Sequence, residues 1–526
     1  MRKGIWKKLK DDSELTLAFV ILLIAIGAGS IVRVQFSSGT GYPINDGGLF
    51  YQMVEDLLDN GLLIPDFTTY NNDQIPFAYP PLAFYLVAVL KLASKQTLLE
   101  LFRIVPLAIN ILVIPAFYFL ASRFFNDRSR AALSVLFFAL LPRTYTWLLM
   151  GGGVTRGLGF LFAVLALISI WDLFSTSRNW RSLAGAILFS AGCVLSHPET
   201  SLFVIFMAAV FFIYHNPGWE NLKSGFMVAA GVLLCVSPWI FTVYSYHGWA
   251  PFIGAGSTGH SDWLEIKNII TLNFGFEKGI FLHVFSAFAL MAVFLKRDKL
   301  TYFFSASILV GYFLFPRSGP NLLTVPFSAL AAGGFYEILK LSGQKGDREA
   351  SFISLMESDG KSRLLLILTI VYLCLGAFSF KYIAEIDKLS LSDDLLGVYG
   401  WLEDNAGEDK NILFYPVVEE ERFWWNDYAA EWFPALTSKS NLTTVQGYEW
   451  IEGEYQRRVY EYLLLRTCSK VGPECVNEWE TRNDIGVDLV VLSQIGERRD
   501  FVENFLQQAN YNIVYAGKDY LVLDKE

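Results

Sequence analysis

The chain has 526 residues, 53% of them hydrophobic and only 18% charged, with a formal net charge of −9. Soluble domains carry about 25% charged residues; the shortage here, with apolar runs repeating over residues 15–383, excludes a wholly soluble protein. The acidic balance and the lack of a basic stripe argue against a nucleic-acid partner.

In chain order, MRKGIWKKLKDDSELTLAFVILLIAIGAGSIV begins like a signal peptide. Its apolar run is long and no small-residue cleavage site follows, so it reads as a retained first span. Spans are expected near 15–34, 104–122, 131–149, 157–174, 182–196, 200–214, 224–244, 279–295, 301–315, 321–340 and 364–383. Lys and Arg fall in alternate connections: Arg2 to Lys10, Arg123 to Arg130, Arg178 and Arg181, Lys296 to Lys299, and Lys345 to Arg363. The positive-inside rule therefore places the N-terminus in the cytoplasm and, after eleven crossings, the C-terminus outside. YPPLAFYLVAVLKLASK (79–95) is too short to cross and would put SRFFNDRSR outside if it did. It is expected to lie in the outer interface, within one large outer loop over 35–103.

GGGVTRG (151–157), SHPET (196–200) and FPRSGPN (315–321) mark span ends on the same face as that loop. The charges gathered there are Asp46, Glu55, Asp56, Asp73, Arg103, Arg143, Arg156, His197, Glu199 and Arg317. Charges beside apolar spans are costly and usually functional. Arg103, Arg156 and Arg317 have the planar fork that suits phosphate, though an arginine at a helix end also snorkels. Asp46, in NDGGLFYQ, suits a general base that takes a proton from an acceptor hydroxyl or an N-cap for the helix that follows. Asp73 and Glu199 are candidate acceptor-binding or auxiliary acids, and Asp73 is equally a turn former or a metal ligand. His197 suits phosphate binding, acid catalysis or a helix cap. Gly151, Gly152 and Gly153 form either an amide nest for an anion or a flexible turn. Glu55, Asp56 and Asp59 read as a solvated helix face.

Residues 384–526 read as a soluble α/β domain: helical DDLLGVYGWLEDN, strand-like NILFYPV and DLVVLSQ, helical DFVENFLQQA, then strands NIVYA and YLVLDK. Cys468 and Cys475 are its only cysteines, and an oxidising exterior permits a local disulfide where the alternative is two thiols. Cys193, Cys235 and Cys374 lie in apolar runs as small core residues. Asn441-Leu442-Thr443 is a glycosylation sequon. No zinc spacing, phosphate-binding loop, dinucleotide fingerprint or nucleophile elbow occurs.

An early Asp after the first span, Tyr-Pro-Pro-Leu opening a short helix, then an Arg, a span and a basic turn form a connected pattern. With NDGGLFYQMVEDLLDNG, IPFAYPPLAFYLVAVLKL, LELFRIVPLAINILVIPAFYFLASRFF and FPRSGPNLLTVPFSALAAGG, the chain resembles the GT-C superfamily of membrane glycosyltransferases. The likeness is to the protein O-mannosyltransferase and aminoarabinose transferase branch, and covers most of residues 1–340 in layout. It implies a polyprenyl-phosphate-linked sugar donor, reached from the membrane, and transfer on the outer face, usually with inversion; separately, the lack of an endoplasmic-reticulum retrieval signal makes a prokaryotic plasma membrane the expected location. The family's first-loop acid maps to Asp46. Its second acidic neighbour is replaced by Gly47 and Gly48, with Asp73 as a substitute, which leaves a divalent metal open. The phosphate-binding arginines map to Arg103 and Arg317; Arg156 is added from the residues alone. FWWNDYAAEWF is similar to the Trp-Trp-Asp-Tyr-Gly acceptor motif of oligosaccharyltransferases, with Asn426 intervening and the Gly missing. Trp424, Trp425 and Trp432 suit sugar stacking or core packing.

The expected protein is thus a polytopic α-helical transferase, with a membrane domain over 1–383 and an extracytoplasmic α/β domain over 384–526. One alternative is a non-catalytic receptor or assembly partner in envelope polysaccharide export. The other is a lipid or sugar transporter, which would need inverted repeats and mid-span charges that the sequence lacks.

Overall fold

The computed structural model describes residues 13–39, 41–175, 179–215, 217–258, 280–315, 318–342, 352–383, 389–416, 427–494, 502–503, 505–506 and 511–525. The first described element is α1 (Ser13–Ser37). The loop after it holds α2 (Gly48–Asp59), the antiparallel pair β1 (Phe67–Thr68) and β2 (Ile75–Pro76), and α3 (Leu82–Ala93). Then follow α4 (Leu98–Phe124), α5 (Arg128–Leu140), α6 (Gly153–Phe174), α7 (Trp180–Val194), α8 (Pro198–His215), α9 (Trp219–His247) and α10 (Ala250–Ser257). The helical part ends with α11 (Ile280–Leu295), α12 (Lys299–Leu314), α13 (Gly319–Leu322), α14 (Thr324–Ser342), α15 (Phe352–Ser358) and α16 (Gly360–Ile383).

Among the described residues, six helices are long and apolar enough to cross a membrane: α1, α4, α6, α8, α9 and α16. They outline a membrane protein. Helices lie where the spans were expected, with ends shifted by up to six residues, except over 131–149, where α5 stops at Leu140. Pro142 has no amide to continue the ladder and its ring clashes with the preceding turn, so the chain passes into a 3₁₀ turn at Pro142–Thr144. The side chain of Asp127 caps α5 by accepting from the Arg130 amide. A capping box starts α4 at Leu98, earlier than expected, with Thr97 and Glu100 bonding each other's amides. The segment 79–95 holds the helix α3, its Leu82 amide bonded to the Leu195 carbonyl.

Arg33, on the last turns of α1, is fully buried. Its Nε donates to Asn110 Oδ1 at 2.5 Å, Nη1 to the Gly29 and Ala139 carbonyls at 3.0 and 2.7 Å, and Nη2 to Thr144 Oγ1 at 3.1 Å. One guanidinium thus ties α1 to α4 and α5. Gly29 allows the approach, since a Cβ there would meet Ala139 Cβ at 2.9 Å.

The C-terminal part contains α17 (Asp393–Asn405), β3 (Ile412–Phe414), α18 (Tyr428–Leu436), α19 (Glu454–Val471), α20 (Pro473–Asn483), β4 (Leu489–Ser493), β5 (Tyr511–Ala516) and β6 (Tyr520–Lys525). Its sheet runs β3-β4-β6-β5, with β3 parallel to β4 and the other pairs antiparallel. A disulfide joins Cys468 to Cys475.

Among the described residues, the two largest hydrophobic clusters organise the fold. One lies among the long helices. The other is shared: Leu49, Phe50 and Met53 of α2 and Phe84 of α3 pack in one cluster with Tyr399, Phe414, Trp432 and Phe433. The loop over 35–103 and the C-terminal part therefore bury their apolar faces against each other.

Candidate active site

The segment Ile44–Gly48 is held from three directions. The Asn45 amide donates to the Leu389 carbonyl at 2.6 Å. The Gly151 and Gly152 amides donate to the Ile44 and Asp46 carbonyls at 2.9 and 3.0 Å. From α18, Trp432 Nε1 donates to the Asn45 carbonyl at 2.7 Å, and Glu431 Oε1 accepts from the Gly47 and Gly48 amides at 2.8 and 3.1 Å. Gly47 has φ 137°, a conformation open to glycine.

This clamp aims the Asp46 carboxylate at the first turn of α6. Arg156 Nη1 donates to Oδ2 at 2.6 Å and Nη2 to Oδ1 at 3.0 Å, a bidentate pair with both partners buried. The Gly152 amide adds a bond to Oδ1 at 3.3 Å. The guanidinium lies 4.4 Å from the centre of the Trp147 ring, and Nη2 also donates to the Trp147 carbonyl at 3.2 Å. Arg156 Nε is buried without a hydrogen bond. The glycines are steric necessities. A Cβ on Gly151 would stand 2.1 Å from the Asp46 carbonyl, and one on Gly152 would stand 2.7 Å from both Asp46 Oδ2 and Arg156 Nη1. Gly151 and Gly152 form a close-packed turn into α6, and the anion that the Gly152 amide meets is Asp46 itself. Nor does Asp46 cap α2, whose N-cap is Gly47 without a side-chain bond.

Glu431 is buried beside this pair. Burial first, and the Asp46 charge second, push its carboxyl up to about 8, against the pull of the Gly47 and Gly48 amides and of Arg156.

The other candidates are distributed around this centre. Tyr79, the first residue of Tyr-Pro-Pro-Leu, reaches Thr155 next to Arg156, with 3.3 Å between the two hydroxyls, and packs edge-on to Phe50 and Trp450. Half-buried Arg103 makes no hydrogen bond or ion pair among the described residues, and a Cβ on Gly41 would stand 3.9 Å from its Nη1. Arg317, Trp424 and Trp425 lie outside the described residues. Glu199 accepts from Ser318 N at 2.9 Å and Ser318 Oγ at 2.6 Å, so it fastens the residue after Arg317. His197 Nδ1 lies 2.8 Å from Thr200 Oγ1 and accepts from the Thr200 amide at 3.3 Å, in the manner of a helix cap at the start of α8. Asp73 bonds Tyr448 Oη and accepts from Asn71 Nδ2 at 2.9 Å, with Arg458 Nη2 at 3.9 Å. Those partners lie at the seam with the C-terminal part, so Asp73 and Asp46 are not gathered into one ligand set. Among the described residues no group of three or more His, Cys, Asp or Glu is arranged to hold a metal. Trp432 is fully buried, edge-on to Tyr51 and Phe102, which is core packing.

Arg33 and Glu431 belong to this description without having stood out in the sequence. For Arg33 the signal is a charge inside an apolar run. For Glu431 it is an acid within the aromatic stretch FWWNDYAAEWF, where nothing local distinguishes it from a surface glutamate.

No protein-family model matches the chain, and no curated protein sequence matches it. Solved structures do. The oligosaccharyltransferase AglB from Archaeoglobus fulgidus, in complex with an inhibitory peptide and a dolichol-phosphate, superposes with TM-score 0.53 at 13% identity, over 92% of this chain and 70% of that one. ArnT from Cupriavidus metallidurans bound to undecaprenyl phosphate gives 0.51 at 10% identity, over 97% of each chain. The arabinofuranosyltransferase AftD from Mycobacteria gives 0.58 at 12% identity, over 96% of this chain and 39% of that one. At these identities the likeness is one of fold: this chain is folded like these three proteins.

Proposed function

We propose that this protein transfers a sugar from a polyprenyl-phosphate-linked donor to an acceptor at the outer face of the membrane. In this reading residues 1–383 form the membrane domain, N-terminus inside, and residues 384–526 an extracytoplasmic domain of a plasma-membrane protein. The observation that carries it is the bidentate Asp46–Arg156 pair, set where α6, the first loop and α18 meet. The fold supports it, since two similar structures hold a lipid phosphate: dolichol-phosphate in AglB and undecaprenyl phosphate in ArnT.

The reaction is a displacement at the anomeric carbon. The acceptor oxygen forms the new bond, the bond to the donor phosphate oxygen breaks, and the lipid phosphate leaves with the electron pair. The acceptor proton passes to Asp46. In the resting pair each charge neutralises the other. An incoming phosphate competes for the guanidinium of Arg156, and the exchange would free Asp46 as donor binding completes. Arg103, whose guanidinium is uncommitted among the described residues, and Arg317 would share the charge developing on the phosphate. His197 and Glu199 then act by shaping the turn at 196–200 and by holding Ser318.

The test is transfer of labelled sugar from polyprenyl-phosphate donors in membranes carrying wild type or Asp46→Asn. Loss of about 100-fold or more supports the reading, since a positioned base contributes roughly 10²–10⁴. Equal transfer by both removes Asp46 from the chemistry. Tight binding of lipid phosphate without turnover from any donor would favour a non-catalytic receptor in envelope polysaccharide export. The buried, fully paired state of Asp46 is the observation that keeps this second reading in view.

A further inference from the structure

Both neighbours of Asp46 are gripped by consecutive residues of one helix, α18, far away in sequence. Glu431 takes the Gly47 and Gly48 amides, and Trp432 holds the Asn45 carbonyl. Tyr70 anchors the grip, its hydroxyl donating to the Glu431 carbonyl at 2.7 Å. Approach is close: a Cβ on Gly48 would stand 2.4 Å from the Glu431 carbonyl oxygen. Two amides converging on one buried carboxyl oxygen hold the turn on which Asp46 sits. The mechanism above makes no use of this group.

We infer that Glu431 is a positioning residue for Asp46, its carboxyl oxygen fixing the Gly47–Gly48 turn so that the Asp46 carboxylate meets Arg156 in register. The inference rests on the reading of Asp46 as the reacting base. Glu431 does this as the neutral acid. The buried centre holds two carboxyl groups, Asp46 and Glu431, against one guanidinium, Arg156, and low-dielectric surroundings resist the leftover negative charge. Among the described residues, the other titratable groups beside it include Tyr51 of α2, Tyr70, Tyr399 of α17, Asp427 and Tyr462, none of them a cation. Glu431 also borders a cavity of about 10 Å³ with Asp427, Thr443, Thr444 and Tyr462, roughly the room one water needs. Above the pH at which Glu431 ionises, a second negative charge stands beside Asp46 and competes with the donor phosphate for Arg156.

The experiment compares Glu431→Gln, Glu431→Ala and wild type in two ways: steady-state transfer across pH, and amide hydrogen exchange of the peptide covering residues 44–48. Glu431→Gln keeps the accepting oxygen and cannot ionise. It should exchange like wild type, turn over within about threefold of it at neutral pH, and lose the alkaline fall seen in wild type. Glu431→Ala should expose the Gly47 and Gly48 amides to faster exchange and lower kcat about 10–100-fold, with little change in KM for the donor. Wild-type exchange and kcat in Glu431→Ala would overturn the inference. So would a Glu431→Gln enzyme as impaired as Glu431→Ala, because the charge and not the oxygen would then matter. Should Glu431→Ala fail to fold, Glu431→Gln still decides through its pH profile. Failure of wild type to transfer from any donor would sink the functional reading alone, and the exchange comparison would still judge the positioning role.

Discussion

At the scale of single residues, the centre is a buried ion pair enclosed by glycines and neighbouring carboxyls. Removing one member of such a pair leaves the other charge uncompensated, at a cost of about 3–5 kcal/mol. Arg156→Ala should therefore lower thermal stability in detergent by that order, and adding Asp46→Asn to it should recover part of the loss. A double-mutant cycle reads this directly. Gly152→Ala places a methyl group 2.7 Å from Asp46 Oδ2 and Arg156 Nη1, and the strain should cost about 1–3 kcal/mol together with loss of transfer. Glu431 sets a pH dependence. It titrates near 4.5 as a free side chain and near 8 in the fold, so between those values the folded state binds more protons than the unfolded one. Stability should fall as pH rises through this window and level off above it. Chemical denaturation of wild type against Glu431→Gln from pH 5 to 9 would show the slope in wild type and a flatter line in the variant.

At the scale of elements, the helix ends were readable where local chemistry writes them. The Thr97–Glu100 box, the Asp127 cap and Pro142 all act within one turn. Hydropathy alone could not place the end of α5, because an enclosed helix and the apolar turns after it have the same composition. The cysteine spacing likewise left two readings, a bridge or two thiols, and the fold has the bridge between α19 and α20. Replacing both cysteines with serine should destabilise the C-terminal part by about 2 kcal/mol, from the freed chain entropy of a short loop, seen as a lower unfolding midpoint that leaves the Asp46 clamp intact. The sequon at Asn441 has a structural explanation. Asn441 is buried, Oδ1 accepting from the Phe414 amide at 2.9 Å and Nδ2 lying 3.0 Å from Thr443 Oγ1. Asn441→Ala should cost about 1–3 kcal/mol through the unpaired Phe414 amide, and the native protein's mass should show no glycan at this position.

At the scale of the whole molecule, the loop and the C-terminal part share one core, and their union builds the centre. Asp46 and Arg156 were each legible from residue type and place: an acid before two glycines, and an arginine at the start of an apolar helix. Their pairing was not, because it spans 110 positions of sequence and no local pattern encodes it. Glu431 was hidden for the same reason, its meaning lying wholly in the distant amides it meets. Asp73 was legible as an isolated acid, but the sequence could not say that Tyr448 and Arg458 would engage it first.

The shared core also has a consequence in time. Gly47 must wait for Glu431, 384 residues later. At roughly 5–20 residues per second of synthesis, the first loop stands without its C-terminal partners for about 20–80 s, with the part of its apolar surface that they cover left open. A nascent chain cut short before α18 would keep that surface uncovered, so completion of the C-terminal part is what closes the core of the first loop.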